Sequence, residues 1–237
     1  MTTTFYAPPS AFSGDRVTLP DDEARHAVKV LRMTTGDALT VVDGVGGWHE
    51  CELTETGKSA HARVVTTKRD VNEREVGLWL AMSPLSKRDR LEFAVEKAVE
   101  LGVTDIVLIQ TARMPPGRVR VDRIESRLVA AMKQSLRCRL PTIHECAISD
   151  LPTAYPDVQW LLLHEGAEES LADLLAGSDS AHPVGLVIGP EGGFNDAEVS
   201  RLSKEGARVA LLGPRRLRAE TAAIAACSLA MALHTQT

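Results

Sequence analysis

The chain lacks the cysteine patterns that carry metals. Its four cysteines, Cys51, Cys138, Cys146 and Cys227, form no CxxC pair and no His/Cys cluster with zinc spacing, and read as buried thiols in a reducing cytoplasm. His26, His164 and His182 stand singly without a metal-like partner, so no metal site is expected. No apolar run approaches the roughly 20 residues that a membrane helix needs. The N-terminal stretch Met1 to Pro9 lacks the charged and apolar regions of a signal peptide, and a cytoplasmic, non-membrane protein is expected. No internal repeat or low-complexity tract is present. A net charge of −5 argues against an indiscriminate nucleic-acid coat, but not against a local basic surface.

What is present divides the chain in two. Up to about Arg69 the pattern is β-like: Ala38–Val42, Trp48–Leu53 and Ala60–Val65 are short strand candidates with close turns, which suggests a small barrel. Between the first turns, Asp21 to Arg32 reads as a short helix and its exit. The charged stretch Lys68 to Glu75 has no apolar period and reads as a linker. Beyond it strands and helices alternate. Val76–Met82, Ile106–Ile109 and Trp160–Leu163 are apolar strands. Lys87–Leu101 places Leu91, Val95 and Ala98 on one helical face with Gly102 as its stop, and Val121–Leu136 turns Ile124, Leu128 and Ala131 inward. Alternation of this kind implies βαβ units and a mostly parallel sheet.

Two glycine-bearing turns follow apolar runs in the last third. Val184–Ile188 leads into Gly189-Pro190-Glu191-Gly192-Gly193-Phe194, and Val209–Leu212 leads into Gly213-Pro214-Arg215-Arg216-Leu217-Arg218-Ala219-Glu220-Thr221. Turns at the ends of parallel strands are where α/β proteins place ligands. Asn195-Asp196-Ala197-Glu198 has capping-box spacing, so a helix starts there. The Walker lysine with its Ser/Thr and the GxGxxG fingerprint are both missing, which points to a ligand with a polar head other than a polyphosphate. Arg215, Arg216 and Arg218 precede a helix N-terminus, where the dipole prefers anions; that mild conflict points to function. The following run, Ala222 to Ala230, is so small-sided that it is expected to pack deeply. Arg113, Arg118, Arg120, Arg123, Arg127, Lys133, Arg137 and Arg139 make the middle locally basic, and Arg25 and Arg32 beside His26 do the same near the start. Basic patches in both parts of an acidic chain favour a shaped nucleic-acid target.

These residues together resemble a known family. Val187 to Phe194 and Leu212 to Ala222 look like the two signatures of the ribosomal small subunit methyltransferase E group of the SPOUT superfamily. His26 to Arg32 followed by Gly36-Asp37, Glu96 to Val103, and Gln134 with Arg137, Arg139 and Pro141 match as well, so the resemblance spans essentially the whole chain in order. It implies an α/β protein: a PUA-like β-barrel over residues 1–69 that helps bind RNA, and a parallel-sheet SPOUT domain with a trefoil knot over 74–237. It further implies a homodimer that uses S-adenosylmethionine to methylate N3 of one uridine in 16S ribosomal RNA, on assembled small subunits. By motif, the cofactor-binding residues are Leu163, His164, Glu165, Ile188, Gly189, Pro190, Glu191, Gly192, Leu211, Leu212, Gly213 and Leu217. The RNA-binding residues are Arg25, His26, Arg32, Gln134, Arg137 and Arg139. Deprotonation at N3 spreads negative charge over the ring oxygens, which a guanidinium can stabilise with paired donors; Arg218 is assigned that role, with Arg113 second. The chain departs from its relatives at Ala112-Arg113-Met114, at Lys133, where they usually carry Glu, and at Leu136, where they usually carry Gly. Two alternatives remain open here: a non-catalytic RNA-binding assembly factor, and a SPOUT methyltransferase acting on transfer RNA or on ribose.

Overall fold

Alternating burial in the first seventy residues builds a sheet, and continuous burial beyond them builds a different one. The computed structural model describes residues 3–57, 59–117 and 119–233, so Arg118 of the basic stretch lies outside the described residues. Contacts divide the chain into two units: the chain up to Glu73 together with Val129–Leu140, and Arg74–Leu128 together with the chain from Pro141 onward.

In the first unit, β1 (Thr4–Tyr6), β2 (Phe12–Ser13), β3 (Arg16–Leu19), β4 (Ala38–Val42), β5 (Gly47–Glu55) and β6 (Ala60–Arg69) form one six-stranded sheet in the order β1-β4-β5-β6-β3-β2. Only β1 and β4 run parallel. Along β5 every second residue from Gly47 to Leu53 is buried, the period of a half-buried strand. Bulges near Cys51 and Leu53 bend β5 around a core of Phe5, Val17, Leu19, Leu39, Val41 and Leu53. The helix expected over Asp21–Arg32 is α1 (Asp21–Arg25) continued by a single π-helical turn, His26–Val30. The stretch expected to be a linker does contain the boundary between the two units, after Glu73, but its first part is built into the first unit. Lys68 and Arg69 belong to β6, and the Glu73 side chain is 2% exposed. Its Oε2 accepts from Nε and Nη2 of Arg137 at 3.0 and 2.7 Å, and its Oε1 from the backbone N–H groups of Cys138 and Arg139 at 2.8 and 2.7 Å.

In the second unit, β7 (Leu78–Met82), β8 (Asp105–Gln110), β9 (Thr142–Ala147), β10 (Gln159–Leu163), β11 (Val184–Ile188) and β12 (Arg208–Ala210) make an all-parallel sheet in the order β12-β10-β11-β7-β8-β9. Its helices are α2 (Arg88–Glu100), α4 (Leu151–Ala154), α5 (Leu171–Ala176), α6 (Asp196–Lys204) and α7 (Ala219–Leu233), while α3 (Val121–Gln134) belongs to it through Leu128 and to the first unit from Val129. Strand β11 is buried at all five positions, as a central parallel strand should be. Leu91, Val95 and Ala98 of α2 are buried, and Gly102 takes φ +89° at its end, a left-handed conformation suited to glycine. Edge strand β9 was not anticipated: its residues are only partly buried or exposed, and Thr, His and Glu interrupt the apolar pattern. After β12, at one edge, the chain returns to the middle of the unit, where α7 packs on α2, α5, β7 and β11. Ala223, Ala226, Cys227 and Ala230 form the buried stripe that allows this close approach. The return path agrees with the trefoil knot expected of the architecture.

Candidate active site

Strands β12, β10 and β11 are neighbours and run in one direction, so their C-terminal ends Ala210, Leu163 and Ile188 face the same edge of the sheet. The three segments that follow them enclose a cavity of about 610 Å³. That is within the range of sites that bury a small organic ligand. All twelve residues expected to bind cofactor line it, from Leu163, His164 and Glu165 through Ile188–Gly192 to Leu211, Leu212, Gly213 and Leu217. So do Arg113 and Arg218. Gly193, Phe194, Asp196, Arg215, Arg216, Ala219 and Ala222 line it as well.

Hydrogen bonds between loops hold the cavity open. His164 donates its backbone N–H to Ala210 O at 3.0 Å, and Leu211 donates to Glu169 O at 2.8 Å, which stitches the β10 and β12 ends together. The loop after β11 is braced from two sides. Glu191 Oε1 accepts the N–H of Ser86 at 3.0 Å, from the segment after β7. Arg113, after β8, donates from Nη1 to the carbonyls of Gly192 and Phe194 at 2.8 and 3.3 Å. Two glycines suit the local geometry. A Cβ at Gly189 would come within 3.2 Å of the Phe194 ring, and Gly193 has φ +66°.

The capping box at α6 is present: Asn195 Oδ1 accepts the Glu198 N–H at 2.8 Å, and Glu198 Oε2 accepts the Asn195 N–H at 2.9 Å. The other Glu198 oxygen, Oε1, accepts the Ala112 N–H at 2.8 Å. Sequence patterning exposed the cap; it carried no signal for the second bond, whose partners are 86 residues apart. Arg113 is thereby fixed at its backbone neighbour and at its guanidinium. Arg218 differs. It is exposed at the cavity edge, and its side chain has no hydrogen-bond or ion-pair partner among the described residues.

The six residues expected to contact RNA all fall in the first unit. Arg25, His26, Arg32 and Gln134 are exposed, the first two at the junction of α1 and the π-helical turn. Arg139 is half exposed and pairs with Asp70 at 2.6 Å. Arg137 requires correction: its side chain is 3% exposed and holds Glu73 in a buried ion pair, so it braces the fold and offers nothing to a phosphate. The departures from the family pattern also find their places. Lys133 pairs with buried Glu23, and Leu136 sits at φ +58°, the left-handed region that glycine enters freely and that costs a leucine about 1–2 kcal/mol. Among the described residues, no group of three or more His, Cys, Asp or Glu could hold a metal ion, and no helix is long and apolar enough to cross a membrane.

Comparison with known proteins agrees with this geometry. An RNA methyltransferase domain model matches residues 72–231, and an RNA methyltransferase PUA domain model matches residues 19–65. The chain is 30% identical over 236 residues to ribosomal RNA small subunit methyltransferase E of Mycobacterium tuberculosis, covering 94% of this chain and 88% of that one. It is 28% identical to the protein of that name from Bacillus subtilis, with 87% and 86% covered. Among solved structures, a ribosomal RNA small subunit methyltransferase E from Neisseria gonorrhoeae bound to S-adenosyl methionine aligns with a TM-score of 0.85 at 30% identity, covering 96% and 95% of the two chains. A methyltransferase from Legionella pneumophila in complex with the bound cofactor aligns with a TM-score of 0.86 at 27% identity, covering 98% of each.

Proposed function

The chain belongs to the ribosomal RNA small subunit methyltransferase E family of the SPOUT superfamily, and on that premise we propose that it methylates N3 of one uridine in 16S ribosomal RNA, on assembled small subunits. It is an S-adenosylmethionine-dependent methyltransferase with an N-terminal PUA-like domain and a C-terminal parallel-sheet domain. The division of labour we propose assigns RNA binding to residues 1–69 and methyl transfer to 74–237, in a cytoplasmic homodimer. The observation that carries the reading is the convergence of three strand-end loops on one cavity edged by Arg218, whose side chain has no partner among the described residues.

The lining fits the cofactor in kind: apolar Leu163, Ile188, Leu211, Leu212 and Leu217 suit its uncharged parts, and glycine-rich backbone suits its polar ones. When bound there, S-adenosylmethionine supplies a methyl group on an electrophilic sulfonium carbon. The protein's main task is alignment, since an in-line displacement requires donor and acceptor to be held in register. The braces at Ser86, Arg113 and Glu198 make the β11 loop rigid before any ligand arrives. The uracil ring nitrogen is a poor nucleophile until its proton passes to solvent water. Arg218 meets the charge that then develops on the ring oxygens with its unspent donors. Arg113 has one terminal nitrogen committed to the loop and acts chiefly by positioning. The target base has to be presented unpaired or flipped out, because N3 is hidden in a duplex. Arg25, His26, Arg32, Gln134 and Arg139 are proposed to hold the RNA on the first unit.

Mass spectrometry of 16S nucleosides from a strain lacking this gene tests the assignment; an unchanged level of N3-methyluridine refutes it. Arg218→Ala is expected to lower turnover by about 10² to 10³ with cofactor affinity retained.

A further inference from the structure

The proposed chemistry leaves two cavity arginines unused. Arg215 and Arg216 line the mouth, both are exposed, and neither side chain has a hydrogen-bond or ion-pair partner among the described residues. Elsewhere in the same unit several arginines find carboxylates: Arg90 faces Glu220, Arg123 and Arg127 face Glu92, Arg201 faces Glu205 and Arg208 faces Glu169. Acids are not in short supply, with 32 Asp and Glu against 27 Lys and Arg. The two guanidiniums also stand just before the N-terminus of α7, where the helix dipole opposes positive charge. Glu220 in the first turn meets the dipole, and Glu165, Glu191 and Asp196 share the cavity, yet among the described residues no carboxylate pairs with either guanidinium; an external anion would.

We propose that Arg215 and Arg216 grip backbone phosphates of the single-stranded RNA flanking the target nucleotide, which makes the second unit an RNA-binding surface in its own right. Consecutive Cα atoms are about 3.8 Å apart, so both arginines lie within about 11 Å of Arg218 along the chain. With the reach of the side chains added, a phosphate held there lies within a few nucleotides of the target. Bidentate guanidinium–phosphate contact would set the register of the strand and leave base recognition to other groups. The inference rests on reading the cavity as the methyl-transfer site.

The test uses the full-length protein and small ribosomal subunits from a strain lacking this gene. Binding is measured across a salt series for wild type, Arg215→Gln/Arg216→Gln, and Arg201→Gln/Arg208→Gln, which removes equal charge from ion-paired positions. Each lost contact to a single strand should flatten the plot of log K against log salt by about 0.7, so the first variant should lose about 1.4 of slope and the second much less. Affinity for S-adenosylmethionine, read by calorimetry, should stay within about twofold of wild type, a shift too small to signal a lost contact. An unchanged slope, an equal loss in both double variants, or a fall in cofactor affinity with the slope intact overturns the proposal. Failure of the wild-type protein to bind S-adenosylmethionine instead overturns the reading of the cavity.

Discussion

Glu198 is the residue through which helix capping and cofactor binding become one problem, and Glu198→Gln separates them. Both carboxylate oxygens are in use, one on the Asn195 N–H at 2.9 Å and one on the Ala112 N–H at 2.8 Å. Glutamine keeps a single acceptor oxygen, so one of the two N–H groups is left facing an amide N–H. A hydrogen bond to a charged group is worth about 1.5–3 kcal/mol, and the partial exposure of this site argues for the low end, about 2 kcal/mol. In a chain of this size that lowers Tm by roughly 4–8 °C. Freeing Ala112 also releases Arg113 from the Gly192 and Phe194 carbonyls, and the loosened loop should bind S-adenosylmethionine about tenfold more weakly, equivalent to about 1.4 kcal/mol. Asn195→Ala is the control. It removes the cap at a cost of about 1 kcal/mol yet leaves the Ala112 bond in place, so cofactor affinity should stay within about twofold. Thermal denaturation and calorimetry on the two variants decide the matter. Equal cofactor affinity in both would mean that the Ala112 bond does nothing for the site.

Two further outcomes follow from burial. Glu73→Gln removes the countercharge from a guanidinium that is 3% exposed, and should cost about 3–5 kcal/mol in urea denaturation, with the double variant Glu73→Gln/Arg137→Met regaining at least half; a single variant within 1 kcal/mol of wild type would refute the brace. Burial pushes the Cys51 and Cys227 thiols up to about 12, and burial followed by the charge of Glu73 pushes Cys138 up to about 11. At pH near 8, where a free thiol is partly ionised, only the half-buried Cys146 should react slowly with Ellman's reagent, and all four should react once the protein is unfolded. Rapid reaction of two or more thiols in the folded protein would contradict the burial.

Much of the architecture was legible because its causes are local. The fully apolar run Val184–Ile188, the Asn195–Glu198 cap, the stop at Gly102 and the small-sided α7 each announce themselves within a turn or two of chain. Strand β9 was not legible, since an edge strand can be polar and still pair through its backbone. Arg137 misled for a related reason. An arginine among arginines looks solvated until its partner, 64 residues away, turns out to be a buried carboxylate.

Taken alone, the amino-acid order determined which segments bend, which are apolar enough to lie inside a sheet and which motifs mark a methyltransferase. Those properties belong to short stretches, where backbone preference and hydrophobic period act on neighbours. Tertiary structure alone decided that β12 and β11 flank β10, so that three bends share one cavity, and that Glu198, Arg113 and Glu73 spend their polar groups as they do. Strand adjacency and buried pairing are set by contacts between residues far apart in the chain, and no local pattern records them.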